Sequence, residues 1–304
     1  MIDNPVFSII TPVYNAAHTL TRCASSIFEQ SFAEWEWLLV DDGSIDDSWT
    51  CMEGLATKDS RVHLFQQKNS GPSVARNLGL NNAQGEYVLF MDADDYYPDS
   101  NVLKCLVEAI KQHIGVDMIY FSGNVVLSDG KVYNSNYTTR VFDRGCDCIE
   151  AYCCQPLSIV FGALYSQCYR RSLITQSDIA FNNDIVYGED RLFVISCFMK
   201  AKKTVVLSMP LYNYVVTEGS LMNDAIRKKR QAEDGRKVAY ELEKLLSIGN
   251  IMMPHLRKYL HGMYVKSIDG LKRSEIDWKF VFRNASSWKL KIKDVLLFLG
   301  VNLY

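Results

Sequence analysis

The sequence predicts an α/β fold built on a doubly wound, mostly parallel sheet, and three observations carry that reading. Apolar, β-rich segments alternate with amphipathic ones four times in about ninety residues, the rhythm of successive strand–helix units. The apolar segments are continuous runs: Tyr87-Val88-Leu89-Phe90-Met91 has the length and composition of a strand covered on both faces. These runs then stop abruptly in polar residues. The sharpest stop is Asp92-Ala93-Asp94-Asp95, with three carboxylates in four positions.

In chain order, Val6 to Ile10 reads as the first strand, closed by Thr11-Pro12, with a helix over 17–30 after it. Trp37 to Val40 is the second strand and ends in Asp41-Asp42-Gly43-Ser44; Ser44 or Asp46 can cap the next helix. Val62 to Phe65 is the third. Gly71-Pro72-Ser73 opens a helix with Ala75, Leu78, Leu80 and Ala83 as its apolar positions, and the fourth strand follows over 86–91. A helix over about 101–113 and a strand over 117–121 continue the alternation, and Asp129-Gly130 marks a hairpin turn. Beyond it come a helix near 149–154, an apolar stretch over 159–169, a helix over 190–200 and a strand over 204–207. The last eighty residues are helical in composition.

With 48% hydrophobic and 22% charged residues, the 304-residue chain has the make-up of a globular protein with a large core. Its net charge of −2 conceals an asymmetry. Residues 1–224 carry 16 Lys and Arg against 27 Asp and Glu, a net of −11, while residues 225–304 carry 17 against 8, a net of +9. Nine cysteines, an odd number with no C-x-x-C pair, suit a reducing compartment better than a disulfide framework. The N-terminus lacks the pattern of a signal peptide, and no apolar run approaches the roughly 18 residues of a spanning helix. A cytoplasmic protein is therefore expected.

In a parallel sheet the carboxyl ends of the strands share one edge. Residues 11–15, 41–44 and 92–95 can therefore line a single crevice. Asp92 and Asp94, spaced i and i+2, can face one divalent cation that prefers oxygen ligands, although a solvated acidic turn also explains the pair. Gly188-Glu189-Asp190 opens an apolar-periodic helix, and taken in isolation the two acids there are better explained by N-terminal helix capping than by catalysis. Neither G-x-G-x-x-G nor a P-loop is present. An acidic crevice repels a bare nucleoside diphosphate, so the implied ligand is a metal–nucleotide complex.

FSIITPVYN, LLVDDGS, NSGPSVARNLGL, AQGEYVLFMDADD, LYSQCYRRSLI and YGEDRLF occur here in the order and spacing of family 2 glycosyltransferases. The chain resembles that family over roughly residues 6–222. The resemblance implies inverting enzymes of the GT-A fold: a Rossmann-like, mostly parallel sheet with flanking helices. It divides the chain into a nucleotide-sugar-binding half (1–100), an acceptor-binding half (101–222) and a helical C-terminal extension (223–304).

Carried onto matching positions, the resemblance gives Thr11, Pro12 and Tyr14 the nucleotide-base pocket, with the Tyr14 ring stacked on the base. Asp42 would accept a hydrogen bond from uracil, with Asp41 as its substitute. Gly71 and Arg76 would contact the sugar diphosphate, Arg76 with a bidentate fork; the other reading of Arg76 is a surface residue paired with the acidic crevice. Asp92 would touch the ribose or sugar, and Asp94 would coordinate a divalent Mn2+ or Mg2+ bridging the diphosphate, with Asp95 assisting. Asp190 would be the general base, with Glu189 as the runner-up for that role and as the residue orienting the acceptor. A helix N-terminus lowers a carboxylate pKa, so burial against Phe161, Tyr187 or the acceptor would have to oppose it.

One segment departs from the family pattern. Residues 211–220 carry Val215 and Val216 where a cation is expected before Ser220, and Lys228 or Arg230 are candidate substitutes. The expected partners are a nucleotide sugar, UDP-linked before other kinds, and a glycan or polyprenyl-linked acceptor; no nucleic acid is expected. The lysine-rich apolar segment over 288–299 suits either the inner face of the cell membrane or packing on the catalytic body. A homo-oligomer stays open. The rival reading is a nucleotide-sugar-binding scaffold without catalysis, against which Asp92, Asp94 and Asp190 argue.

Overall fold

The structure is a computed structural model that describes residues 5–134, 137–153, 163–216, 225–249, 253–268 and 276–285. The first four strands are β1 (Phe7–Val13), β2 (Trp35–Asp41), β3 (Val62–Gln66) and β4 (Tyr87–Phe90). Their crossovers are α1 (Ala17–Phe28), α2 (Ser48–Lys58) and α3 (Pro72–Asn82). β2 pairs in parallel with β1 and β3, and β1 with β4. After α4 (Val102–Gln112) come β5 (Met118–Val126), β6 (Val132–Asn134), β7 (Arg140–Phe142) and α5 (Gly145–Tyr152). β8 (Gln167–Arg170), α6 (Arg171–Gln176), α7 (Glu189–Lys200) and β9 (Thr204–Val215) complete one sheet of order β3-β2-β1-β4-β8-β5-β9-β7, with β6 beside β5.

The continuous apolar runs reflect burial on both faces. Along each strand successive side chains point to opposite sides. Ile9, Trp37, Leu39, Leu89, Ile119 and Phe121 enter one core with residues of α1, α2 and α4. Ile10, Leu38, Val88, Phe90, Met118 and Tyr120 enter the other, shared with α5 and α7. Each such side chain, once fully buried, contributes roughly 1.5–3 kcal/mol. A buried polar knot fixes the turn into β4: Glu36 Oε1 accepts from Ser8 Oγ at 2.5 Å and from the Gln84 and Gly85 amides at 2.6 and 3.2 Å. A Cβ on Gly85 would stand 2.5 Å from the Ser8 nitrogen, so only glycine fits that approach.

Three elements differ from the sequence reading. β1 continues through Thr11-Pro12 to Val13, because β4 pairs with it only as far as Ile10 and Pro12 lies where that edge has no ladder to break. β9 extends past Pro210 because register shifts between Phe121 and Asn124 of its parallel partner β5 absorb the proline. β8 lies antiparallel between β4 and β5. The Asp129-Gly130 hairpin forms, with Gly130 at φ +80° and Val126 opposite Val132.

α8 (Ala225–Gly249), α9 (Pro254–Ser267) and α10 (Trp278–Asn284) form the C-terminal part. Val238, Leu242 and Leu246 of α8 and Leu256 and Leu260 of α9 join the same core as α7, so these helices pack on the catalytic body. Among the described residues no helix is long and apolar enough to cross a membrane. The 288–299 segment, Phe161, Ser220 and the Lys228 side chain lie outside the described residues.

Candidate active site

The carboxyl ends of β1, β2 and β4 lie side by side. The Asp42 amide donates to the Val13 carbonyl at 2.8 Å, joining the first two ends. Tyr14 leaves β1 as a residue 52% exposed. Pro12 is half-buried beside it. Thr11 is fully buried, and its hydroxyl accepts from the Trp37 indole at 2.9 Å. Asp41 is also buried; it accepts from the Ser44 amide and from Gln66 Nε2, which makes it a turn-former. Asp42 Oδ1 accepts from Gln67 Nε2 (2.7 Å) and the Ser70 amide (2.8 Å), and Oδ2 from the Gly71 amide (2.8 Å). Asp42 thus ties the β2 end to the start of α3, where Gly71 at φ +91° adopts a backbone that favours glycine.

The β4 end is held by β9. The Tyr212 hydroxyl accepts from the Asp92 amide at 3.1 Å and donates to Asp95 Oδ2 at 2.7 Å, and the Val215 amide donates to Asp95 Oδ1 at 2.8 Å. Asp95 is fully buried and therefore acts as a brace inside the turn. Burial, followed by the Asp92 and Asp94 charges, holds its pKa well above the ordinary carboxylate range. Asp94 is raised for the same first reason, with Asp92 next. Arg22 and His18 oppose this rise without cancelling it; Arg22 gives its Nη2 to the Asp94 main-chain carbonyl at 2.6 Å and lays its guanidinium on the Tyr96 ring.

Across the crevice, Gly188 at φ +87° turns the chain into α7 and places Glu189 and Asp190 in its first turn. Arg76 reaches from α3 to both sides: Nη1 donates to Glu189 Oε1 at 3.0 Å and Nη2 to Asp92 Oδ1 at 3.2 Å. It is buried, which removes the surface reading, and its guanidinium stands over the Phe181 ring. Burial opposes the Arg76 charge, but Asp92, Glu189 and Asp190 outweigh it and raise its pKa. Its Nε has no hydrogen-bond partner among the described residues. Burial lifts the Glu189 carboxyl to about 7, with the Asp190 charge adding and Arg76 opposing. Burial also raises Asp190, against Arg191 and Arg76. Asp190 Oδ1 accepts from the Arg191 amide at 2.6 Å.

The structure therefore brings Asp92, Arg76, Glu189 and Asp190 into one connected site. Tyr14, Asp42 and Gly71 stand on the shared strand-end edge, and Thr11 and Asp41 face inward. Sequence reasoning missed Tyr212, which joins β9 to the acidic turn, and Tyr165, stacked on Tyr212 at 4.4 Å and on Tyr214 at 5.4 Å. The candidate substitute Arg230 is committed elsewhere: it donates to Asp234 Oδ2 at 3.1 Å and to the Asp184 carbonyl at 3.1 Å.

The family model for glycosyl transferase family 2 matches residues 8–174, more than half of the chain. That span contains both strand ends of the base side, Arg76 and the acidic turn. The chain is a family 2 glycosyltransferase. It is 30% identical over 239 residues to the uncharacterized glycosyltransferase EpsJ of Bacillus subtilis, covering 75% of this chain and 69% of that one. It is 29% identical over 223 residues to the poly(ribitol-phosphate) beta-N-acetylglucosaminyltransferase TarS of Staphylococcus aureus, covering 72% of this chain but 37% of TarS. Among solved structures, S. aureus TarS 1-349 in complex with UDP-GlcNAc superposes with a TM-score of 0.68 at 24% identity, over 97% of this chain and 81% of that one. The mannosyltransferase PcManGT of Pyrobaculum calidifontis, in complex with GDP-Man and Mn2+, gives 0.57 at 16% identity over 99% and 77% of the two chains.

In this glycosyltransferase the donor set at the β4 end suits a hard divalent cation. Two crevice-side carboxylates stand there, and Asp94 has a pKa raised by burial and by the Asp92 charge, which a cation would relieve. Among the described residues no cluster of three or more His, Cys, Asp or Glu side chains could hold an ion alone. An ion there would need oxygens from a ligand, which is how magnesium is ordinarily held beside diphosphates.

Proposed function

We propose that this glycosyltransferase moves a sugar from a UDP-sugar to a hydroxyl of a glycan or polyprenyl-linked acceptor, with inversion at the anomeric carbon. The observation that carries the reading is Arg76. One buried guanidinium touches Asp92 on the leaving-group side and Glu189 on the acceptor side, residues 113 apart from Arg76 in the second case. It makes one reaction centre of two acidic clusters. A Mn2+ or Mg2+ ion at Asp94 and Asp92 would neutralise charge on the departing diphosphate.

Asp190 removes the acceptor proton as that oxygen bonds to the anomeric carbon, while the bond to the diphosphate oxygen breaks and its electron pair leaves with the nucleotide. Its raised pKa suits it to hold that proton. Glu189 orients the acceptor, and Tyr14 stacks on the base while Asp42 anchors the base-side loop. The N-acetylglucosaminyltransferase TarS and its complex with UDP-GlcNAc support a UDP-sugar, and the Mn2+ complex of PcManGT supports the ion.

The test is turnover of a panel of UDP-, GDP- and dTDP-sugars with Mn2+, Mg2+ or EDTA. Metal-dependent turnover of one donor, lost in Asp94→Ala, is expected. Silence on every donor, with no metal-dependent nucleotide binding by calorimetry, sinks the reading in favour of a scaffold.

A further inference from the structure

α8 reaches into the loop that presents the Glu189–Asp190 pair. Asp234, on this helix, is fully buried. Its Oδ2 accepts from the Val186 amide at 3.0 Å and the Tyr187 amide at 3.2 Å, the last two N–H groups before Gly188. Arg230 and Lys237, one turn either side, form ion pairs with it at 3.1 and 3.6 Å. Both cations also donate to the Asp184 carbonyl, at 3.1 and 3.2 Å. Three backbone polar groups of residues 184–187 are thus satisfied by a single helix face. Val238, the next position on that face, lies 3.5 Å from where a Gly188 Cβ would sit, so α8 also packs against the turn itself.

A second anchor holds the far side of the pair. Arg191, adjacent to Asp190, lays its guanidinium over the Tyr259 ring of α9 at 5.7 Å and places Nη1 4.0 Å from the Met263 sulfur. The first turn of α7 is therefore gripped by α8 before Gly188 and by α9 after Asp190. A buried carboxylate is costly to keep without such partners.

We infer that Asp234 is a positioning residue for the transfer reaction: through the Val186 and Tyr187 amides it fixes the backbone that aims Asp190 at the acceptor hydroxyl. The assignment rests on the general-base reading of Asp190. Misplacement by about 1 Å costs on the order of 10²-fold in rate even when the chemistry is untouched. The donor side, built on β1 to β4, does not depend on this contact.

The test uses the full chain and two substitutions. Asp234→Ala removes the acceptor for both amides; Asp234→Asn keeps one neutral acceptor oxygen and exposes only the partly solvated Arg230 and Lys237 to the lost charge. Hydrogen exchange should quicken in Asp234→Ala for the amides of 186–190 and stay unchanged over 87–95. With the donor that the unsubstituted enzyme turns over, kcat should fall 10- to 100-fold in Asp234→Ala, the donor KM should stay within threefold, and Asp234→Asn should recover most of the loss. A merely structural role would instead lower activity in proportion to the unfolded fraction and raise exchange throughout. Unchanged exchange at 186–190, or a kcat within twofold of the unsubstituted enzyme, overturns the assignment. Full transfer by Asp190→Asn would overturn the general-base reading instead, and that variant is run alongside.

Discussion

The crevice is flanked by two acidic clusters of similar composition and opposite electrostatic design. At the β4 end, Asp92, Asp94 and Asp95 crowd a turn whose nearest free arginine, Arg22, spends its guanidinium on a main-chain carbonyl and a tyrosine ring. At the α7 N-terminus, Glu189 and Asp190 are flanked by Arg76 and Arg191, which oppose the effect of burial. In the first cluster Arg76 pairs with Asp92 alone and leaves Asp94 and Asp95 without an ion pair among the described residues, whereas the second is supplied with positive charge. Such a shortage suits a site that takes its cation from outside; compensated but buried carboxylates suit proton transfer. Arg76, shared by both, holds the two functions at a fixed separation.

The largest effect expected is that of Asp190→Asn. Loss of a general base should lower kcat by about 10² to 10⁴-fold, while calorimetry with Mn2+ and UDP should show binding unchanged. If binding also fails, the two clusters are not separable in function. Asp94→Ala should do the reverse. Metal-dependent UDP binding should vanish and transfer should drop by roughly 10²- to 10³-fold, a few kcal/mol of lost charge stabilisation. Weaker still is a shift of the acid limb of transfer. Glu189 holds its proton up to about pH 7, so as pH falls through that value the pair takes up a proton and the Arg76 contact weakens. The rate should therefore decline below about pH 7. In Glu189→Gln the same limb should move downward, leaving the titration of Asp190. An unchanged limb in that variant would assign the profile elsewhere.

The part of this design legible in the sequence is the part written in composition. Runs such as Tyr87 to Met91 announce two-sided burial because no polar face is needed, and carboxylates at the ends of such runs announce the crevice edge. β8 was hidden because Gln167-Cys168-Tyr169-Arg170 is four residues long and its antiparallel place is set by distant partners. The composition marks β9 only over 204–207, and its continuation past Pro210 depends on register shifts in its partner. Within the site, Asp92, Asp94, Glu189 and Asp190 stood out as acids at element ends. Tyr212 could not: its partner Asp95 lies 117 residues away. Asp234, with Arg230 and Lys237 at i−4 and i+3, has the local pattern of a solvated helix face, and its complete burial is a tertiary fact.

Tyr212→Phe is the finest probe of the uncompensated cluster, because it removes one oxygen and leaves the ring stack in place. The Asp92 amide loses its acceptor and Asp95 loses one of its two donors, a cost of about 1–3 kcal/mol for buried partners left unsatisfied. The pH dependence follows from the raised Asp95 pKa. In the unfolded chain an Asp ionises near pH 3.9, whereas the folded state keeps Asp95 protonated to higher pH. The stability linked to this group is thus present in acid and lost as pH rises through the folded value. Without the Tyr212 hydroxyl the ionised form is held less well, so the denaturant-measured penalty should grow as pH rises through the folded value. Mn2+ should restore part of it at the high-pH end, since a cation at Asp94 and Asp92 relieves the charges that Asp95 feels. A penalty that stays constant across the whole pH range over which the fold persists would mean that Asp95 is not the partner through which Tyr212 acts, and that the turn is shaped by packing of the three tyrosines alone.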